Sequence, residues 1–114
     1  MPSAPDMHAG HFYHIYNRGV NRQAIFFSER NYRFFIERLR HYFAPELVNV
    51  VAYCLMPTHY HLLVQNHTAN FGEEVMQPFV TSYTKAINKE QGRVGPLFQG
   101  KYKANLVDTD TYLR

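Results

Sequence analysis

Residues 48–65 read Val48-Asn-Val-Val-Ala-Tyr-Cys-Leu-Met-Pro-Thr-His-Tyr-His-Leu-Leu-Val-Gln65, and this stretch decides the fold. Val48 to Leu55 is a β-branched, apolar run, expected as a strand in the centre of a sheet. Met56-Pro57-Thr58 interrupts it and makes a turn, and His59 to Gln65 follows as the returning strand. Side chains alternate between the two faces of a strand. His59 and His61 therefore share one face, while Tyr60, Leu62 and Val64 go to the other.

Working outward, His11-Phe-Tyr-His-Ile-Tyr16 alternates as an earlier strand and ends at Asn17-Arg-Gly19. Ser28 is a cap for a helix whose apolar positions Tyr32, Phe35, Ile36, Leu39, Tyr42 and Phe43 follow the 3.6-residue period, and Pro45 stops it. Asn70 with Glu73 resembles a capping box for a second helix running to about Lys89, with Val75, Phe79, Tyr83 and Ile87 on one side. Pro78 requires that helix to kink or to begin later. Gly92 and Gly95-Pro96 end it, and Leu97 to Val107 is a fourth strand. Asp108-Thr-Asp-Thr111 is the cap of a further helix that barely starts before Arg114. The expected fold is α+β: a ferredoxin-like β-α-β-β-α-β antiparallel sheet with two helices on one face and a truncated C-terminal helix. Residues 1–10 are expected as a flexible leader and 11–114 as a single domain.

A chain of 114 residues, 46% hydrophobic and 16% aromatic, is long and apolar enough for one core, which excludes a disordered chain. The net charge of +3 biases it mildly toward polyanions. Cys54 is the sole cysteine, so no intrachain disulfide forms, and its apolar setting reads as a buried core thiol. The N-terminus lacks the apolar core of a signal peptide, and no apolar run approaches the roughly 18 residues of a membrane span. The expectation is a cytoplasmic protein without membrane contact.

Two neutral imidazoles on a rigid strand can hold a Mg²⁺- or Mn²⁺-type ion if a third ligand comes from a neighbouring element and phosphate oxygen and water complete the shell. Such an ion acts as a Lewis acid on a phosphate. A tyrosine nucleophile would store the bond energy in a phosphotyrosyl link, because a phenolate leaves more readily than an alkoxide. Groups suited to nucleic acid surround the sheet: Asn17, Arg18, Asn21 and Arg22 after the first strand, then Lys85, Lys89 and Arg93, then Gln99, Lys101 and Lys103. Tyr102, between two lysines, is expected as a stacking platform for single strands. His8, His11 and His14 read as surface or core histidines.

Three segments together, Tyr13-His-Ile-Tyr-Asn-Arg-Gly19, Ala52 to Val64, and Gly92-Arg-Val-Gly-Pro-Leu-Phe-Gln-Gly-Lys-Tyr-Lys103, resemble the REP-associated tyrosine transposases. These are single-tyrosine, IS200-like members of the HUH superfamily. The likeness runs from about residue 11 and makes 11–114 the palm. It implies that His59 and His61 bind Mg²⁺ or Mn²⁺, with no nucleotide cofactor. It also implies a partner, a REP-like single-stranded DNA hairpin, cleaved and rejoined through a 5′-phosphotyrosine. By position, Asn17 and Arg18 match the family's strand-end motif, and Arg93 to Lys103 match a segment placed against DNA. The resemblance puts the nucleophilic tyrosine on a final helix beyond Arg114, with Tyr112 as the fallback, so the chain is expected to be poor at cleavage. Two rivals remain: a non-catalytic ferredoxin-like module binding single-stranded nucleic acid, and a metal-dependent phosphodiesterase using water. Monomer and dimer are both open, and an incomplete last helix allows a swapped one.

Overall fold

The computed structural model describes residues 5–107. Strands β1 (Phe12–Arg18), β2 (Val48–Met56), β3 (His59–Asn66) and β4 (Lys103–Val107) and helices α1 (Glu29–Tyr42) and α2 (Gln77–Gln91) follow in the order β1-α1-β2-β3-α2-β4. All pairings are antiparallel and the spatial order is β2-β3-β1-β4. This is the ferredoxin-like α+β arrangement expected from the sequence.

β3 alternates strictly between buried and half-buried positions, as the two-residue period requires. Its Tyr60, Leu62 and Val64 meet Tyr13 and Ile15 of β1 and, from the helices, Phe35, Leu39, Phe79, Tyr83 and Ile87. The ring of Phe35 stands edge-on to Tyr83 (5.2 Å) and Phe79 (5.0 Å), the geometry that the aromatic quadrupole favours. Ser28 Oγ accepts the Asn31 amide (3.4 Å) and Asn31 Oδ1 accepts the Phe27 amide (2.7 Å), a reciprocal cap on α1.

Four details depart from the sequence reading. The Val48–Leu55 run lies in an edge strand, not in the sheet centre, and a bulge between Val50 and Ala52 breaks its register. An edge strand has a single neighbour, so Val51, Tyr53 and Met56 stay exposed. Cys54 lies opposite His61, on the sheet face away from the helices, so it is exposed and is no core thiol. As Pro78 required, the second helix begins late: a π-helical turn over Gly72–Met76 precedes α2, which leaves Pro78 in its first turn, where no backbone donor is required. Thr68, not an Asn70–Glu73 box, organises that entry, its hydroxyl donating to Glu74 (2.9 Å) and accepting from the Asn70 amide (3.1 Å). β4 pairs only from Lys103, and residues 97–102 form a loop across the end of β1. The expected helix start at 108–111 lies outside the described residues.

Burial raises the phenol pKa of both Tyr60 and Tyr83 well above its ordinary value. The Tyr83 hydroxyl donates to the Ile25 carbonyl (2.6 Å), whereas the Tyr60 hydroxyl has no partner among the described residues. The fold therefore favours the protonated phenols. Their contribution is intact below the unfolded value of about 10 and is lost as pH rises above it toward the folded values. In an alkaline titration, tyrosinate absorbance from these two rings is expected to appear together with loss of circular dichroism. Their ionisation near pH 10 with the fold intact would contradict this.

Candidate metal and nucleic-acid site

Three stretches far apart in sequence are tied together at one end of the sheet. The β2–β3 turn offers its carbonyls to the segment after β1: Thr58 accepts from the Gly19 amide (2.9 Å), and Pro57 accepts from Ile25 (2.8 Å) and Phe26 (3.2 Å). The 97–100 loop closes on the same segment, through Val20 N–H to the Leu97 carbonyl (2.9 Å) and Gln99 N–H to the Arg18 carbonyl (2.9 Å). Leu97 and Phe98 anchor that loop in the core. Gly19 is required where these stretches cross. A Cβ there would lie 2.0 Å from the Gln23 carbonyl oxygen and 3.2 Å from the Ile25 side chain. Beyond it, Asn21 and Arg22 both have left-handed backbone (φ +53° and +60°), a conformation uncommon for arginine and one that strain at a functional loop can account for.

The crossing leaves a cavity of about 370 Å³ lined by Tyr16, Asn17, Arg18, His59, His61, Gln99 and Lys103. The register explains its contents. Arg18 lies opposite His59, and Tyr16 lies opposite both His61 and Lys103, so these side chains share the sheet face away from the helices. Among the described residues no carboxylate lines the cavity. Among the described residues, Arg18, Arg22, Lys101 and Lys103 make no ion pair. The field in the cavity is therefore one that draws in anions.

The rings of His59 and His61 stand nearly perpendicular with centroids 5.2 Å apart. His61 Nδ1 lies 2.8 Å from His14 Nε2, and His59 Nδ1 lies 3.2 Å from Thr58 Oγ1. In both rings Nδ1 is engaged and Nε2 has no partner among the described residues. Desolvation, then the neighbouring His14 and His59, lower the pKa of His61, so its imidazole is neutral at physiological pH. The imidazoles of His59 and His61, with Nε2 atoms unpartnered among the described residues, on one rigid strand beside an anion-attracting cavity, fit two positions of a divalent-cation shell. Among the described residues no third His, Cys, Asp or Glu joins them. The remaining positions fall to phosphate oxygen and water, as hard divalent cations prefer.

Of the residues expected to touch DNA, Arg18, Gln99 and Lys103 gather with the histidines, and Arg22 is exposed on the turn after Gly19. Lys101 lines a neighbouring cavity of about 470 Å³ under α2. Three others serve the protein instead. Asn17 is buried, with its amide donating to the Gly100 carbonyl (3.1 Å) and its oxygen accepting from the Arg18 amide (2.9 Å). These bonds brace the cavity wall. Tyr102 is buried against Phe71, so its ring faces are not the open stacking platform expected for it. Burial raises its phenol pKa as well. The Arg93 guanidinium is held by Asn88 and by the Pro96 carbonyl, closing the turn after α2. Tyr112 lies outside the described residues.

Sequence reasoning missed His14, Tyr16 and Thr58 as neighbours of the pair. The two-residue spacing of His14 and Tyr16 places them on one face of β1, but only the β1–β3 register puts that face beside His61.

The fold and site define an α+β domain that presents an imidazole pair beside a basic cavity. Residues 8–113 match the family described as transposase, IS200-like, and the chain belongs to that family. No curated protein matches it significantly. Among solved structures, a REP-associated tyrosine transposase bound to a REP hairpin is similar, with a TM-score of 0.67 and 13% identity over 99% of this chain and 67% of the other. A candidate transposase from Deinococcus radiodurans R1 gives a TM-score of 0.66 and 19% identity, over 99% of this chain and 91% of the other. At these identities the likeness is one of fold. No helix among the described residues is long and apolar enough to cross a membrane.

Proposed function

We propose that this chain is the DNA-processing domain of a single-tyrosine transposase, which binds a single-stranded DNA hairpin and cleaves and rejoins it through a phosphotyrosyl intermediate with Mg²⁺ or Mn²⁺. The observation that carries this reading is the convergence of residues 17–19, 57–61 and 97–103 on one cavity with two imidazole nitrogens and cations that have no partner among the described residues. The hairpin partner is taken from the similar transposase solved with its REP hairpin.

Arg18 and Lys103 bind phosphates inside the cavity, while Arg22 and Lys101 extend the contact along the strand. Gln99 offers an amide on the cavity wall, with its oxygen already near the Asn21 amide (3.3 Å). His59 and His61 would hold the cation through Nε2. The bound ion would polarise the scissile phosphate and offset its developing charge. A tyrosine hydroxyl loses its proton and bonds to phosphorus. The bond from phosphorus to the 3′-oxygen breaks, that oxygen takes a proton, and a 5′-phosphotyrosyl link remains. The reverse attack by a 3′-hydroxyl rejoins the strand. By the family resemblance we assign the nucleophile to a tyrosine beyond Arg114, with Tyr112 second; among the described residues, Tyr16 lies on the cavity wall.

The test is incubation with Mn²⁺ and labelled hairpin DNA, for this chain and for the chain continued by any native downstream codons. A band resistant to denaturation, mapped by mass spectrometry to a single tyrosine, is the expected result. Cleavage without an adduct would favour a water-using phosphodiesterase. Hairpin binding with neither cleavage nor adduct in either protein would favour a binding module.

A further inference from the structure

His14 has no part in the reading above, yet it makes the shortest polar contact to the histidine pair. It lies on β1 one pair along from Tyr16, diagonal to His61 across the β1–β3 ladder. Its ring stacks on both neighbours, with centroids 4.8 Å from Tyr16 and 5.0 Å from His61 and interplanar angles of 26° and 17°. Its Nε2 is 2.8 Å from His61 Nδ1. A hydrogen bond between two neutral imidazoles needs one donor and one acceptor, so the pair has a choice of direction. Only one choice leaves His61 able to ligate through Nε2.

We propose that His14 is a positioning residue: its Nε2 accepts the Nδ1–H of His61, fixing the tautomer and ring orientation that leave His61 Nε2 unprotonated for a divalent cation. The inference rests on the metal reading above and adds the residue that sets the ligand. A half-turn of the His61 ring would put carbon where each nitrogen stands and break the bond to His14. The stack of Tyr16, His14 and His61 therefore holds the donor atom in place. An outer partner of this kind commonly changes metal affinity by about 10–100-fold.

The test compares His14→Phe, which keeps a ring in the stack but has no acceptor, with His14→Gln, whose amide oxygen reaches the same place. Long-range ¹H–¹⁵N spectra of the metal-free proteins report the His61 tautomer, and Mn²⁺ titration followed by electron paramagnetic resonance reports affinity. The unsubstituted chain is expected to show Nδ1–H at His61. His14→Phe should shift it toward Nε2–H and weaken Mn²⁺ binding about 10-fold or more, and His14→Gln should restore both. An Nε2–H tautomer in the parent, an unchanged His14→Phe, or equal loss in both variants would overturn the proposal. Absence of Mn²⁺ binding by the parent would overturn the metal reading and with it the purpose of the contact. The metal-free spectra separate that failure from a failure of the contact itself.

Discussion

In the chain continued by any native downstream codons, replacing His61 with alanine is expected to lower hairpin cleavage by about 10³-fold or more, with hairpin affinity little changed. A catalytic cation contributes several kcal/mol of charge stabilisation at a phosphate, and each 1.36 kcal/mol is a factor of ten in rate. With one of two protein donors gone, the remaining imidazole holds a hard, well-hydrated ion weakly. Mn²⁺ affinity should therefore fall in parallel with cleavage. On the proposed reading DNA affinity should reside elsewhere, in Arg18 and Lys103 on the same wall and Arg22 and Lys101 beside it, none of them ion-paired among the described residues. The fold should tolerate the change, because His61 points away from the helices and lies outside the buried core. His59→Ala should behave alike. Mn²⁺ binding unaltered in both variants would remove the metal reading. Loss of hairpin affinity matching the loss of cleavage would make the histidines DNA contacts instead.

How far the sequence revealed this site depended on whether a feature was local. The period-two alternation of His59 to Gln65 is a property of one strand, and it separated the imidazoles from Tyr60, Leu62 and Val64 correctly. The caps and apolar period of α1 are local too. Composition misled in β2, where β-branched residues satisfied strand propensity without burial, since an edge position and a bulge leave Val51 and Tyr53 in solvent. Tyr102, between two lysines, looked like a platform. On entering β4 its ring turns inward to Phe71, which no neighbour in sequence announces. His14 was invisible as a partner of His61, because 47 residues separate them and only the strand register joins them. Asn17 illustrates a further limit: nothing in its motif announces that its amide holds the loop that shapes the cavity.

Gly19→Ala is expected to destabilise the fold by roughly 3 kcal/mol, the upper part of the range for overpacking, and to weaken hairpin binding as well. The cause is space, not backbone freedom. Gly19 has φ −65° and ψ 147°, which any residue adopts. The added carbon would sit 2.0 Å from the Gln23 carbonyl oxygen. A backbone atom cannot swing aside as a side chain can, so the 19–23 turn must move. That movement strains the bond from the Gly19 amide to Thr58, next to His59, and the pairing of Arg18 with Gln99 across the cavity. Gly100 provides the contrast. It has open space around its Cβ position but φ +67°. Gly100→Asn should cost little because asparagine tolerates the left-handed region, while Gly100→Ala should cost about 1 kcal/mol. Gly19→Asn, by contrast, should be no better than Gly19→Ala. Urea unfolding of the four variants beside hairpin binding at fixed salt distinguishes the two mechanisms. A Gly19→Ala protein within about 0.5 kcal/mol of the parent would mean that the three segments meet more loosely than their hydrogen bonds indicate, and the convergence that defines the site would lose its physical basis.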